Sequence, residues 1–240
     1  MSAIGGLGVI PVTYAIVLLG LLVGVGISIA LLNSEADSRE GGFLWLAAIP
    51  TIAAVSYLLM ALDIGVVSVG DNDVYLFRYI DWLLTTPLLV GYVAYVAGAP
   101  RRWIVGVAAA DAGMILVGTV ATLTTGIATW IGFGISALFH VVLLGILYLV
   151  LPTYVEAHPR RRRLFKVLQN HVGLLWIAYP VIWLLGGPGF ELMDTETASL
   201  VVTYIDVVAK VGFGLIAYSE LRDIEFLQSS ENSTTATSAD

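Results

Sequence analysis

The chain has 240 residues, 58% of them hydrophobic and only 12% charged, about half the charged share of a soluble domain, which places it in a membrane. It has no cysteine, so disulfides and thiol chemistry are excluded and the redox compartment stays open. The net charge of −7 argues against nucleic acid as a partner. The start, MSAIGGLGVIPV, carries no basic n-region, so no cleaved signal peptide is read there. A membrane-crossing helix needs about 20 largely apolar residues. Seven such stretches follow in order, at 9–32, 43–65, 75–97, 103–122, 128–152, 164–186 and 197–222. The fold class is therefore all-α, a seven-helix membrane bundle over residues 1–225, and the polar residues 226–240 read as a disordered tail. Between the second and third spans, VVSVGDNDVYLF alternates around a Gly-Asp-Asn-Asp turn, the pattern of a short hairpin. No internal repeat and no second domain are read.

Lys and Arg set the orientation. The first, third and fifth connectors hold Arg39, Arg101, Arg102, Arg160 to Arg163 and Lys166, while the other connectors hold acids such as Asp71, Asp73, Glu191, Asp194 and Glu196. This asymmetry places the N-terminus outside the cell and the C-terminus in the cytoplasm, as expected of a multi-pass protein of the cell membrane. The RRRR run, 160–163, reads as this topology signal, with acidic lipid headgroups or a partner as its other possible contacts.

Two cations, Arg78 and Lys210, and three acids, Asp81, Asp111 and Asp206, fall well inside spans, and Asp63 lies at the outer end of the second. An ionised group in hydrocarbon costs at least a few kcal/mol, so pairing is expected. Asp206 precedes Lys210 by four residues, which puts both on one helix face about 6 Å apart along the axis. Asp81 reaches the same depth from the third span, with Arg78 one turn earlier and Thr85 one turn later. A buried lysine amine can act as a free base or hold a carbonyl compound as a Schiff base, for which the two acids would be counter-ions and Arg78 the offset to the second negative charge. A salt bridge that only joins helices is the competing reading. Tyr79, Trp82, Trp176, Tyr179 and Trp183 cluster at this depth, and Pro180 kinks the sixth span. A flat aromatic slot beside a lysine suits a long planar polyene aldehyde.

The segments RYIDWLLTTPLL, LLWIAYPVIWLLG and DVVAKVGFG resemble those of the microbial (archaeal-type) rhodopsins, and the resemblance runs over nearly the whole chain. It implies seven helices around all-trans retinal, bound as a protonated Schiff base and isomerised by light. Carried over, Lys210 is the Schiff-base lysine, Asp81 the primary counter-ion and proton acceptor, and Asp206 the second counter-ion with Tyr57 and Tyr179 as donors to it. Arg78 is the outward-side arginine. Tyr79, Trp82, Thr85, Thr86, Leu89, Met114, Gly118, Ser136, Trp176, Tyr179, Pro180 and Trp183 line the chromophore, and Asp111 pairs with Thr86 and stays protonated.

The family holds proton pumps, chloride pumps and sensors. Asp81 argues against a chloride pump. Proton pumps resembling this chain carry a carboxylic acid eleven residues after the acceptor, where this chain has Tyr92, a poor donor with an ordinary pKa near 10. Glu220 lies about 15 Å along the axis from Lys210, too far to substitute. The two outer glutamates of such pumps fall on Pro188 and Ala198. A slow cycle keeps a signalling state populated. The segments RYIDWLLTTPLLVGYVAYVAGAPRR and QNHVGLLWIAYP, with Tyr92 and His171, resemble the sensory rhodopsin I subfamily. That resemblance implies phototaxis through a membrane transducer along helices six and seven, with His171 in signalling. Read from its own surroundings, His171 is a hydrogen-bonded histidine near the inner interface, and His140 is a histidine that bonds a backbone carbonyl, tunes colour or binds an anion. The alternatives are a slow light-driven outward proton pump without a partner and, more remotely, a retinal-free transporter using the Asp–Lys pair. Homo-oligomerisation stays open. No metal-ligand cluster, phosphate loop or nucleophile triad points to an enzyme.

Overall fold

The computed structural model describes residues 9–34, 42–70, 72–157 and 159–219. Their main elements are seven helices and one hairpin: α1 (Val9–Ser34), α2 (Gly42–Ala61), β1 (Val66–Val69), β2 (Asn72–Tyr75), α3 (Leu76–Val96), α4 (Arg101–Thr122), α5 (Ile127–Val155), α6 (Arg162–Leu185) and α7 (Thr195–Ser219). In hydrocarbon every backbone N–H and C=O must bond within its own segment, which is why these apolar stretches become helices. Six are long and apolar enough to cross a membrane, and α2 contributes the shorter apolar helix Trp45–Ala61. The tail, Glu220 and Arg39 lie outside the described residues.

The predicted hairpin forms, with β1 and β2 antiparallel and Val66 opposite Tyr75. The second helix stops at Ala61, four residues before the predicted end at 65. Asp63 and Gly65 take positive φ (54° and 76°), which ends the helix and turns the chain into β1. A Cβ on Gly65 would lie 2.8 Å from the Phe77 ring, so the turn needs glycine twice over. Asp63 is exposed, as read, and accepts a bond from Tyr75 Oη at 3.3 Å.

Sequence neighbours pack side by side from α1 to α5, α6 packs against α3, and α1 closes the bundle against α7. The larger apolar core lies at the end away from the hairpin, around Tyr92, Phe165, Leu168 and Phe213. A smaller one, with Tyr14, Leu21 and Tyr57, joins α1 to α2. Outward faces carry exposed residues such as Leu19, Leu116, Leu138 and Leu149, which suits a lipid surround. Three helices are interrupted. Ile146–Val150 in α5 and Val208–Gly212 in α7 are π-helical turns, and α6 breaks at Ile177 ahead of Pro180, which removes one backbone donor.

Asp194 caps α7, accepting from the Thr197 backbone N–H at 2.8 Å and from Thr197 Oγ1 at 2.7 Å, which starts the helix two residues before the predicted 197. These two bonds favour the ionised form and hold the Asp194 carboxyl below its ordinary value. A lowered folded-state value means that the cap's contribution is present above the ordinary carboxylate range and is lost only as pH falls below that range, through the lowered value. The protection factor of the Thr197 amide, its exchange measured against the intrinsic rate at the same pH, is therefore expected to fall only below about pH 4. Hydrogen exchange against pH checks this, and protection independent of pH there would contradict it.

Candidate functional site: a buried lysine beside an aromatic slot

Lys210 stands in the π-helical turn of α7 and is 2% exposed. Its Nζ bonds Asp81 Oδ2 and lies 3.2 Å from Asp206 Oδ2, so the predicted meeting of two acids from two helices is what the fold produces. Asp81, fully buried, also takes a weak bond from Thr85 Oγ1 at 3.4 Å. Asp206 is held by three rings: Tyr57 Oη and Tyr179 Oη each donate at 2.8 Å, and Trp82 Nε1 donates to both carboxylate oxygens at 3.0 Å. The two tyrosines match the expectation from sequence. Trp82 was expected only as a wall of the slot, because ring-to-acid reach across α3 and α7 leaves no mark in residue spacing. A buried ion pair is tolerable only when its remaining hydrogen-bonding capacity is filled, as it is here.

Arg78 stands where it was expected, outward of the two acids, and is held there by a cradle of hydroxyls. Its Nη2 bonds Tyr14 Oη (2.6 Å), Ser199 Oγ (2.9 Å) and Thr203 Oγ1 (3.3 Å) rather than either carboxylate, and its guanidinium carbon lies 5.5 Å from the centre of the Tyr14 ring. Tyr14 sits in the first helix, where its sequence neighbourhood carried no signal for this role. Glu191, Asp194 and Glu196 are exposed and stand apart from this cluster. Asp111 accepts from Thr86 Oγ1 at 2.6 Å, as read, while its Oδ1 is buried without a partner.

Beside the ion pair lies a cavity of about 220 Å³, walled by Tyr79, Trp82, Met114, Gly118, Ser136, Tyr179, Pro180 and Trp183, with His140 at its side. A second space of about 60 Å³ shares Trp82, Met114 and Tyr179 with it and adds Thr86 and Trp176. Thr85, Leu89 and Asp111, also expected to line the slot, border neither space. Lys210 borders neither as well. It opens on a pocket of about 30 Å³ beside Gly24 and Pro50, and the Trp82 and Tyr179 rings join Asp206 to the slot. Those two rings meet edge to face at 5.1 Å, and Phe133 stacks on Trp183 at 4.3 Å and 12°, so the walls are flat and stiff. His140 Nε2 is buried without a partner, so the expected carbonyl bond is not made by that nitrogen.

Towards the end away from the hairpin, Tyr92 is 1% exposed among the rings of Trp45, Tyr95 and Phe213. His171 Nε2 lies 3.3 Å from the Ala209 carbonyl, next to Lys210, which bears out the hydrogen-bonded histidine. Gln169, which the sequence did not single out, donates to the Leu147 carbonyl at 2.7 Å. Both carbonyls belong to π-helical turns, so α6 is tied by polar side chains to the irregular turns of both its neighbours.

A lysine whose amine is desolvated and paired to two acids, beside a flat apolar slot, has the chemistry to hold a planar aldehyde covalently. The bacteriorhodopsin-like protein family matches residues 9–223, and the chain belongs to that family. It is 45% identical over 213 residues to sensory rhodopsin-1 of Halobacterium sp. (strain SG1), covering 88% of this chain and 86% of that one. To sensory rhodopsin I of Haloarcula marismortui it is 45% identical over 211 residues, covering 88% and 89%. Among solved structures, thermophilic rhodopsin from Rubrobacter xylanophilus matches with a TM-score of 0.85 at 32% identity, over 90% of this chain and 97% of that one. The family and the apolar helices make the chain a multi-pass membrane protein with a retinal chromophore.

Proposed function

We propose that the chain is a photoreceptor of the sensory rhodopsin I kind, in which all-trans retinal is linked to Lys210 and light drives phototaxis through a membrane transducer. The single observation that carries the sensor over the pump is Tyr92. The third helix has a phenol among aromatic rings at the level where a pump needs a carboxylic acid. Among the described residues, the carboxylates outside the hairpin half are Asp111, tied to Thr86, and Glu156, exposed after α5. Relatives named as sensory rhodopsins support the same choice.

When bound, retinal supplies light absorption and, by isomerising, a change in the acidity and direction of the linked nitrogen. The chain does the rest. Asp81 Oδ2 receives the proton, being the oxygen that already bonds Lys210 Nζ. Asp206 stays ionised because three ring donors stabilise its charge, and Arg78, held by hydroxyls, balances it. Trp82 and Tyr179 orient the chromophore and exclude water. Tyr92 returns no proton, so the light-formed state persists. His171 ties α6 to the turn of α7 that holds Lys210, which gives the transducer face of α6 and α7 a route by which to sense the site. The proposed orientation has the hairpin outside, the arginine-rich connectors and the tail 226–240 in the cytoplasm, and lipid or copies of the chain around the bundle.

Flash photolysis of the retinal-loaded protein in membranes tests this. Recovery of the dark pigment is expected to be slow, to be accelerated strongly by azide, and to quicken about 100-fold in Tyr92→Asp, the scale of a positioned proton donor. Fast recovery indifferent to azide would transfer the case to the outward pump.

A further inference from the structure

We propose that Thr122, the last residue of α4, is a positioning residue that fixes two walls of the slot at its outer mouth; this rests on the retinal reading above. Its hydroxyl is fully used. Tyr79 Oη donates to Thr122 Oγ1 at 3.1 Å from α3, and Trp183 Nε1 donates to it at 3.0 Å from α6. Thr122 Oγ1 itself donates to the Gly118 carbonyl at 3.0 Å. A hydroxyl has one proton and two lone pairs, so this one is saturated, and its rotor is set by the bond to Gly118. Thr122 is 5% exposed.

Both tethered rings are structural parts of the slot. Trp183 stacks on Phe133, and Tyr79 meets Trp82 edge to face at 5.4 Å. Trp82 in turn donates to Asp206, the acid beside Lys210. One oxygen on α4 thus sets the rings on either side of the slot, and one of them leads through a single ring contact to the counter-ion pair.

The same residue stands at the outer mouth of the slot, which Asn72, Gly187 and Thr195 also border. Beyond it, a polar cavity of about 470 Å³ is bordered by Thr124, Thr129, Glu191 and Asp194 as well as by Thr122. Glu191 and Asp194 are exposed, so this space meets water. Removing the hydroxyl leaves a phenol O–H and an indole N–H facing an apolar slot without an acceptor. Groups stripped of a buried partner take up water where water can reach them. Asn72, Gly187 and Thr195 border both spaces as Thr122 does, so water is expected to take the vacated place beside the two donors and loosen the rings.

The test compares wild type, Thr122→Val and Thr122→Ser, each loaded with retinal, by absorption maximum and by the rate of bleaching with hydroxylamine in the dark. Valine keeps the shape and loses the acceptor, while serine keeps the acceptor. Thr122→Val is expected to bleach about tenfold faster with a displaced maximum, and Thr122→Ser to behave as wild type in both. A purely structural role would lower thermal stability without moving the maximum. If Thr122→Val does not assemble, Thr122→Ala is read by the same two measurements. A Val or Ala pigment that matches wild type in rate and maximum overturns the inference and leaves the retinal reading intact. A wild type that forms no pigment overturns the retinal reading itself.

Discussion

Lys210→Ala is expected to form no visible pigment with all-trans retinal, a complete loss rather than a graded one, because the one other lysine, Lys166, is exposed on α6. The same change leaves Asp81 and Asp206 buried without their cation. Breaking a buried pair on one side costs about 3–5 kcal/mol. For a chain of this size that lowers Tm by about 10 °C. Lys210→Arg separates the two effects. It restores a positive charge, so much of the stability should return, yet a guanidinium forms no Schiff base and the band should stay absent. Absorption spectra and thermal unfolding of the two variants check both parts. A visible band surviving in Lys210→Ala would move the chromophore link elsewhere, and a wild type that forms no band would favour the retinal-free transporter.

Asp81→Asn is the second large effect. Asp81 is the acid that bonds Lys210 Nζ most closely, and its carboxylate carries fewer ring donors than Asp206, so it is the freer of the two to take a proton. Asparagine cannot take one. Light-driven proton transfer is expected to slow at least about 100-fold, the range for a lost general base. Removing a negative charge beside the linked nitrogen should also move the band to longer wavelengths. Flash spectroscopy and the dark spectrum give the two readings. Asp206→Asn is expected to act differently: Tyr57, Tyr179 and Trp82 would lose a charged acceptor, so pigment assembly should suffer before proton transfer does. If transfer proceeds unchanged in Asp81→Asn and stops in Asp206→Asn, the roles of the two acids are exchanged.

Much of the site was legible because it is written in helical spacing. The four-residue step from Asp206 to Lys210 and the depth of Asp81 in an apolar helix follow from period and burial once seven spans are counted, while the Thr86–Asp111 pair came with the family resemblance. Trp82 as a donor to Asp206, the Tyr14–Ser199–Thr203 cradle of Arg78, Gln169 on the Leu147 carbonyl and the Thr122 tether each join helices distant in the chain. A sequence read one helix at a time shows which residues face inward. It does not show which inward residue of another helix stands at the same height.

By itself the sequence determined the class of structure and the charges that had to pair, since an apolar helix in lipid has one backbone solution and a buried ion has few partners, and the family resemblance marked Tyr92 as the place where a pump carries an acid. Only the tertiary structure decided which hydroxyls cradle Arg78, which rings hold Asp206 and which hydroxyl locks the slot. The reason is geometric. A π-helical turn at Lys210 and a broken α6 change the rotation of side chains about their helices, and a fraction of a turn moves a hydrogen-bonding atom from one neighbour to the next.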